Sequence, residues 1–329
     1  MMKRIITILI ILIVNLAAIV IYLSIYGIKT EKFNDEIIKN VSKINKKINL
    51  SLNEVNYLLN PLNFSINISA KNPKILLEDK SLDLSDITTN ISLKSFINNQ
   101  FSIDDLKIST KEIQIKDLIS LTRAVKGLPQ LFVLNNITKA GLISANINLT
   151  FDLDGEIKNN YQINGTVKKA KFNIFNQVEI EKLNLSFNIS KNQLKLRKIE
   201  TNLNSIKLKS PLIKIEKKKN IFFIDGKVIN DRQNFDINKL KPMLGDLLST
   251  VEIEKIDFSS INTFSFNINK NLKLNDLKLE TNLNLKNFKI VKNSFILKTF
   301  LPNYTEQVKF KDHKIKIKLT KDILDIKGE

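Results

Sequence analysis

Apolar and polar residues alternate with a period of two through most of this chain after residue 50, and that pattern predicts its architecture. Phe64, Ile66 and Ile68 alternate with Ser65, Asn67 and Ser69, and Leu82 and Leu84 alternate with Ser81, Asp83 and Ser85. Ile91 and Leu93 follow, then Phe101, Ile103, Leu106 and Ile108. The rhythm returns at Ile147, Leu149, Phe151 and Leu153, at Leu183, Leu185, Phe187 and Ile189, and at Phe264, Phe266, Ile268, Leu283 and Leu285. Successive side chains of a strand point to opposite faces, so each run reads as a strand with one apolar and one polar face. Turn signals such as Asp154-Gly155, Lys191-Asn192 and Asn269-Lys270-Asn271 separate the runs. At about 12 to 15 residues per strand and turn, roughly 18 to 20 strands are predicted. What repeats is a pattern and not a motif of fixed length, which favours one long antiparallel meander over a propeller or a regular β-helix.

Four segments depart from this period. From Ile5 to Gly27 no residue is charged. A helix over these roughly 23 residues would be about 34 Å long, enough to cross a hydrocarbon core of about 30 Å with some tilt, with Tyr22 and Tyr26 at one interface. A cleaved signal peptide is the rival reading, with Leu16-Ala17-Ala18 as its weak cleavage signal; the length of the apolar run favours an uncleaved anchor. Lys3 and Arg4 precede the segment and place the N-terminus in the cytoplasm by the positive-inside rule. Phe33, Ile37, Ile38, Val41, Ile44 and Ile48 recur at helical spacing and predict a stalk helix. Ile115 to Leu134 predicts a helix ended by Gly127-Leu128-Pro129, and Ile237 to Leu248 predicts another. The organisation expected is a tail over 1–4, an anchor over 5–28, a stalk helix over 29–49 and one β-groove domain over 50–329.

Composition narrows the chemistry. Cysteine is absent and His313 is the single histidine, so a disulfide framework, a thiolate metal site and a multi-histidine site are excluded. The net charge of +19 invites nucleic acid or anionic lipid as a partner. Lysine is, however, spread through strands and turns alike, and the longest basic run, Lys217 to Lys219, falls at a predicted turn. No nucleic-acid partner is therefore expected. Asp152-Leu153-Asp154-Gly155 reads as a hairpin turn, since a calcium loop would need a third acidic ligand and a distant bidentate glutamate. No nucleophile and base pair can be placed, so neither an enzyme nor a cofactor is predicted.

The predicted helices are too few to roof so many amphipathic strands. The sheet must either fold onto itself as a sandwich or curve its apolar face around something else. A curved sheet of about 18 strands makes a trough of about 85 Å, and a trough suits acyl chains: exposing about 16 carbons to water costs about 12 kcal/mol at about 0.8 kcal/mol per methylene. The candidate lining is Ile66, Ile68, Leu82, Leu84, Ile91, Leu93, Ile147, Leu149, Phe151, Leu153, Leu183, Leu185, Phe187, Ile189, Phe264, Phe266, Ile268, Leu283 and Leu285. Alternation alone says nothing about what fills the concavity, so a self-covered sandwich acting as an interaction scaffold stays open beside the groove.

Three stretches carry a resemblance: the cadence from Asn60 to Leu121, including "NPLNFSINISAKNPKILLEDKSLDLSDITTNISLKSF"; the stretch "GLISANINLTFDLDGEIKNNYQINGTVKKAKFNI"; and "VEIEKLNLSFNISKNQLKLRKIETNLNSIKLKS". With the N-terminal anchor they resemble the AsmA-like family of Gram-negative envelope proteins, most closely its YhdP-type members. The resemblance covers most of residues 1–300 and is one of cadence, with no catalytic motif to transfer. It implies an inner-membrane anchor, a periplasmic β-groove similar to chorein-type lipid bridges, and movement of phospholipid between inner and outer membrane. Its partners would be phospholipid acyl chains, the inner membrane and outer-membrane or other envelope proteins. The alternative it implies is a scaffold for assembly of outer-membrane proteins. Bridge-forming members are far longer, so a truncated bridge or a short member working with partners is expected.

Overall fold

The charge-free segment forms α1, Met2–Ile25, in the computed structural model, which describes residues 2–44, 48–77, 80–98, 100–125, 129–174, 178–236, 253–269, 273–291, 307–321 and 323–328. The helix predicted over 237–248 lies outside the described residues. Among the described residues the period-two runs become strands of one antiparallel sheet of 18 strands that does not close on itself. The chain divides into two compact units, Met1–Ile113 with Asp117–Leu128 and Ser144–Asn164, and Gln114–Lys116 with Pro129–Ile143 and Gly165–Glu329.

In the first unit α1 is followed by β1 (Ile28–Thr30), α2 (Asn34–Ile44), β2 (Ile48–Ser51), β3 (Val55–Asn60), β4 (Ser65–Lys71), β5 (Lys74–Leu77), β6 (Lys80–Ser92), α3 (Leu93–Ile97) and β7 (Ile103–Thr110). The segments β8 (Ile113–Gln114), α4 (Ile115–Val125), α5 (Pro129–Ile137), β9 (Thr138–Thr150) and β10 (Gln162–Ile174) divide between the units. The second unit continues as β11 (Val178–Ser190), β12 (Gln193–Leu203), β13 (Ile206–Lys218), β14 (Ile221–Asp236), β15 (Ile253–Asn269), β16 (Leu274–Val291), β17 (Gln307–Thr320) and β18 (Ile323–Gly328). From β11 to β18 each strand pairs antiparallel with the next, the meander that the pattern predicts.

Three expectations change in detail. The stalk helix predicted over 29–49 is shorter, because Ile28–Thr30 pairs with β3 and residues 48–51 pair with β5, leaving α2 between two strands. Leu93 does not continue the strand of Ile91: Ser92 accepts the Ser95 amide at 3.2 Å, an N-cap that opens α3 at Leu93. The helix expected over Ile115 to Leu134 is two helices, and Pro129 is the first residue of α5, where its missing N–H costs nothing.

Buried apolar side chains are few. Among the described residues they are Leu50, Val55, Ala70, Leu84, Ile115, Ile119, Leu121, Ala170, Ile199, Ile206 and Phe235. In the first unit Leu50 pairs with Ile75 and Ile75 with Leu82, beside α2, so Leu82 and the fully buried Leu84 belong with this small core. In the second unit the alternation shifts phase at lysines with left-handed backbone, Lys169, Lys182 and Lys198 in β10, β11 and β12, each with φ near 50°. In β12 both Arg197 and Lys198 are exposed and Ile199 is buried, so the less exposed series Leu194, Leu196 continues as Ile199, Thr201, Leu203. Such irregularities add local twist and bend to a strand without losing its sidedness.

Candidate functional site

Pairing register shows which side chains share a face, because residues directly opposite on neighbouring strands stand side by side. In the second unit one row runs Phe187, Leu196, Ile213, Gly226, Phe264, Leu279, Leu319, Leu324, one residue from each strand of β11 to β18. Seven strand spacings of about 4.8 Å make it about 34 Å long. A second row runs Ile189, Leu194, Ile215, Ile224, Phe266. Leu283 and Leu285 lie on the same side of β16 as Leu279 by alternation, opposite Ile315 and His313. His313 is half-buried among these neighbours and less exposed than a free strand position would be.

The one gap in the long row is Gly226, and its neighbours use the space. A Cβ there would lie 2.8 Å from Phe264 Cζ and 3.0 Å from Ile213 Cγ1. The Phe264 ring therefore lies over the glycine and keeps the apolar surface continuous. Gly226→Val is expected to displace this ring and destabilise the second unit by about 1–3 kcal/mol, as overpacking does. Urea unfolding of the variant checks the size, and an unchanged midpoint would contradict the placement of the ring.

The first unit repeats the arrangement over β1, β3, β4, β6, β7 and β9. One row runs Ile28, Tyr57, Ile68, Thr89, Leu106, Leu149; a second runs Leu59, Ile66, Ile91, Ile103; a third runs Val55, Ala70, Ile87, Ile108, Ile147. Of the candidates in these rows, Ile66, Ile68, Ile91, Ile147 and Leu149 stand together as the alternation requires. Phe151 stacks on Phe101 with ring centroids 5.5 Å apart. Leu153 is in a turn and exposed, where Asp152 Oδ1 accepts the amides of Asp154 at 3.0 Å and Glu156 at 2.9 Å.

Every candidate in these rows is half-buried; none falls among the fully buried side chains. Neighbouring strands shield them from the side; Val55 and Ala70 of the third row are buried, and Phe33 packs on Tyr57 of the first with ring centroids 5.6 Å apart. A concavity of about 410 Å³ is lined by Phe223, Asp225, Ser265, Asn267 and Lys278, which alternate with the row residues, and also by Ile224 and Phe266 of the second row. A second concavity, of about 310 Å³, includes Phe264, Leu279 and Leu319 of the long row in its lining.

The other face is polar. Lys195, Lys214, Asp225, Ser265, Lys278 and Thr320 form its row across β12 to β17. In the first unit Asn67 donates to Asn90 at 2.8 Å, and Asn90 to Asp105 at 2.9 Å, across three strands. Ion pairs join strands in the second unit: Lys171 reaches Glu179 and Glu181 at 2.7 Å each, Arg232 reaches Asp257 at 2.7 Å and Lys316 reaches Glu280 at 3.1 Å.

Hydrogen bonds from these cations hold the carboxyls of Glu181, Asp257 and Glu280 below their ordinary values, and Lys214 does the same to Glu216. A carboxyl lowered by folding contributes stability above its unfolded value and loses it as pH falls through the folded one. The melting temperature is therefore expected to change little from pH 8 to about 5 and to fall below about pH 4. Because the pairs are exposed the fall is modest. Thermal melts across this range check it, and a melting temperature flat down to about pH 2 would contradict it.

Sequence reasoning found the alternation but missed the contributions of Tyr57, Ile213, Ile215 and Gly226; only pairing register brings these into the rows. No family model, curated protein or solved structure matches this chain, so its function is read from this geometry.

Proposed function

We propose that the chain is a single-pass, inner-membrane-anchored envelope protein of the AsmA-like kind, with a cytoplasmic N-terminus and a periplasmic bulk. Its open apolar floor carries phospholipid acyl chains between inner and outer membrane. The observation that carries this reading is the alignment of apolar side chains across consecutive strands, most of them left half-exposed. A soluble sheet ordinarily covers such a face. An acyl chain laid along the rows would cover it and would leave its headgroup in water. If the floor shields one side of a chain of about 16 carbons, it offsets about 6 of the about 12 kcal/mol that water exposure costs. The apolar helix α1, with 20 residues from Ile6 to Ile25 suited by length and composition to span a bilayer, supports the anchor.

Native mass spectrometry of the full chain, released from mild detergent, tests the reading: the expected spectrum carries adducts of phospholipid mass. A spectrum of bare protein under conditions that preserve lipid on a known carrier would overturn it. One observation favours a scaffold instead. β18 pairs with β17 while exposing Ile323, Leu324 and Ile326, an apolar strand of the kind that adds to a partner's sheet. Crosslinking of this strand to a β-barrel protein, with no bound lipid, would favour that reading.

A further inference from the structure

Strand direction places one end of the first unit's sheet beside α1. β1 runs antiparallel to β3 with Ile28 opposite Tyr57 and Thr30 opposite Val55, so the chain traced back from Ile28 to α1 leads toward the Asn60 end of β3. Gly27 makes this junction possible: its φ is +68°, and a Cβ there would lie 2.5 Å from the Tyr57 carbonyl oxygen. From Ile6 to Ile19 every α1 side chain is exposed, and only Val20, Leu23 and Ser24 near its end are partly shielded. The helix thus meets the sheet by its last turns alone.

Three connections lie at that same end. The β3–β4 turn follows Asn60; α3 follows β6, whose Ser92 is opposite Ser65; and the β9–β10 loop is tied in by the Phe101 amide, which donates to the Leu153 carbonyl at 3.2 Å. These connections carry large apolar side chains that no row uses. Leu62 is 95% exposed, Phe96 66% and Ile97 67%, and Phe64, Leu153 and Ile157 are exposed as well. Single exposed apolar residues are ordinary, but six gathered at one end of a sheet mark a contact surface. One connection at the opposite end, Lys111 and Glu112 after β7, is polar and exposed.

We propose that this end of the sheet docks into the surface of the bilayer that α1 spans, with Leu62, Phe96, Ile97 and Leu153 reaching the boundary of the acyl chains. The occupant is a lipid surface because the patch is continuous with the point where the apolar helix leaves the sheet. The proposal rests on the anchor reading of α1 and adds a position for the floor: the row Leu59, Ile66, Ile91, Ile103 lies toward this end, so the floor opens at the membrane surface.

The absence of cysteine makes the test clean. The full chain is reconstituted in phosphatidylcholine–phosphatidylglycerol vesicles with an environment-sensitive fluorophore on one of L62C, F96C, L153C, K111C or A17C. Lipids spin-labelled near the headgroup or deep in the chain serve as quenchers. The three apolar-loop sites are expected to lose about half their emission to the shallow quencher, K111C to lose none, and A17C to be quenched from deep in the chain. Loop sites that behave like K111C while A17C is quenched would overturn the docking and leave the anchor standing. An unquenched A17C would overturn the anchor and the docking with it.

Discussion

Aspartate at Phe187 in the second unit, or at Leu149 in the first, is expected to strip bound phospholipid from the protein while leaving its β-structure intact. Both side chains stand in the apolar rows and both are half-exposed. A carboxylate there remains in reach of water, so it costs the fold only about 1 kcal/mol. The same carboxylate interrupts an otherwise apolar surface and must be desolvated whenever an acyl chain lies over it, which is expected to lower lipid occupancy at least about tenfold. Lipid extraction with mass spectrometry reads the occupancy, and far-UV circular dichroism reads the fold. If these side chains were instead sealed against a facing layer, each substitution would strand a charge in a core and unfold the unit. That outcome would leave only the scaffold reading.

Leu84→Ala is expected to destabilise the first unit by about 2–5 kcal/mol, the usual range for emptying a fully packed leucine site. Leu84 has 0% exposure. Leu283→Ala, on the apolar face of β16 between Ser260 and Ile315, is expected to cost about 1 kcal/mol, because a half-exposed leucine leaves no closed cavity behind. The asymmetry separates core from floor among residues that the sequence pattern treats alike. Chemical denaturation of both variants reads it, and equal losses at the two positions would mean that the rows are packed like a core.

That pair also shows where the sequence was legible and where it was not. Period-two alternation identified the strands and their sidedness because each strand is half-buried on its own. It grouped Leu82 and Leu84 with the floor because alternation reports which face is apolar and not what lies above it. Leu93 and Leu153 kept the rhythm but fell in α3 and in a turn, where a serine cap and an aspartate accepting backbone amides took over. β1 was invisible because three residues carry no period. The phase shifts at Lys169, Lys182 and Lys198 were missed because left-handed backbone is expected of glycine and asparagine more than of lysine. Leu62, Phe96 and Ile97 broke the alternation and so looked incidental; strand direction gave them a common location.

The apolar helix α1 was legible for the opposite reason. A run of more than 20 residues without charge needs no tertiary partner to be recognised, and α1 has the length expected of it. Its docking onto β3 through Gly27 was not legible, since a lone glycine carries no sign of which backbone approaches it.

Photocrosslinking with a phospholipid that bears a diazirine within its acyl chain tests the central claim most directly. Peptide mapping of the full chain is expected to place adducts on row residues such as Phe187, Leu196, Ile213, Phe264 and Leu279, with none on Lys195, Lys214 or Lys278 of the opposite face. Adducts confined to α1, or spread equally over both faces of the sheet, would contradict an acyl-binding floor.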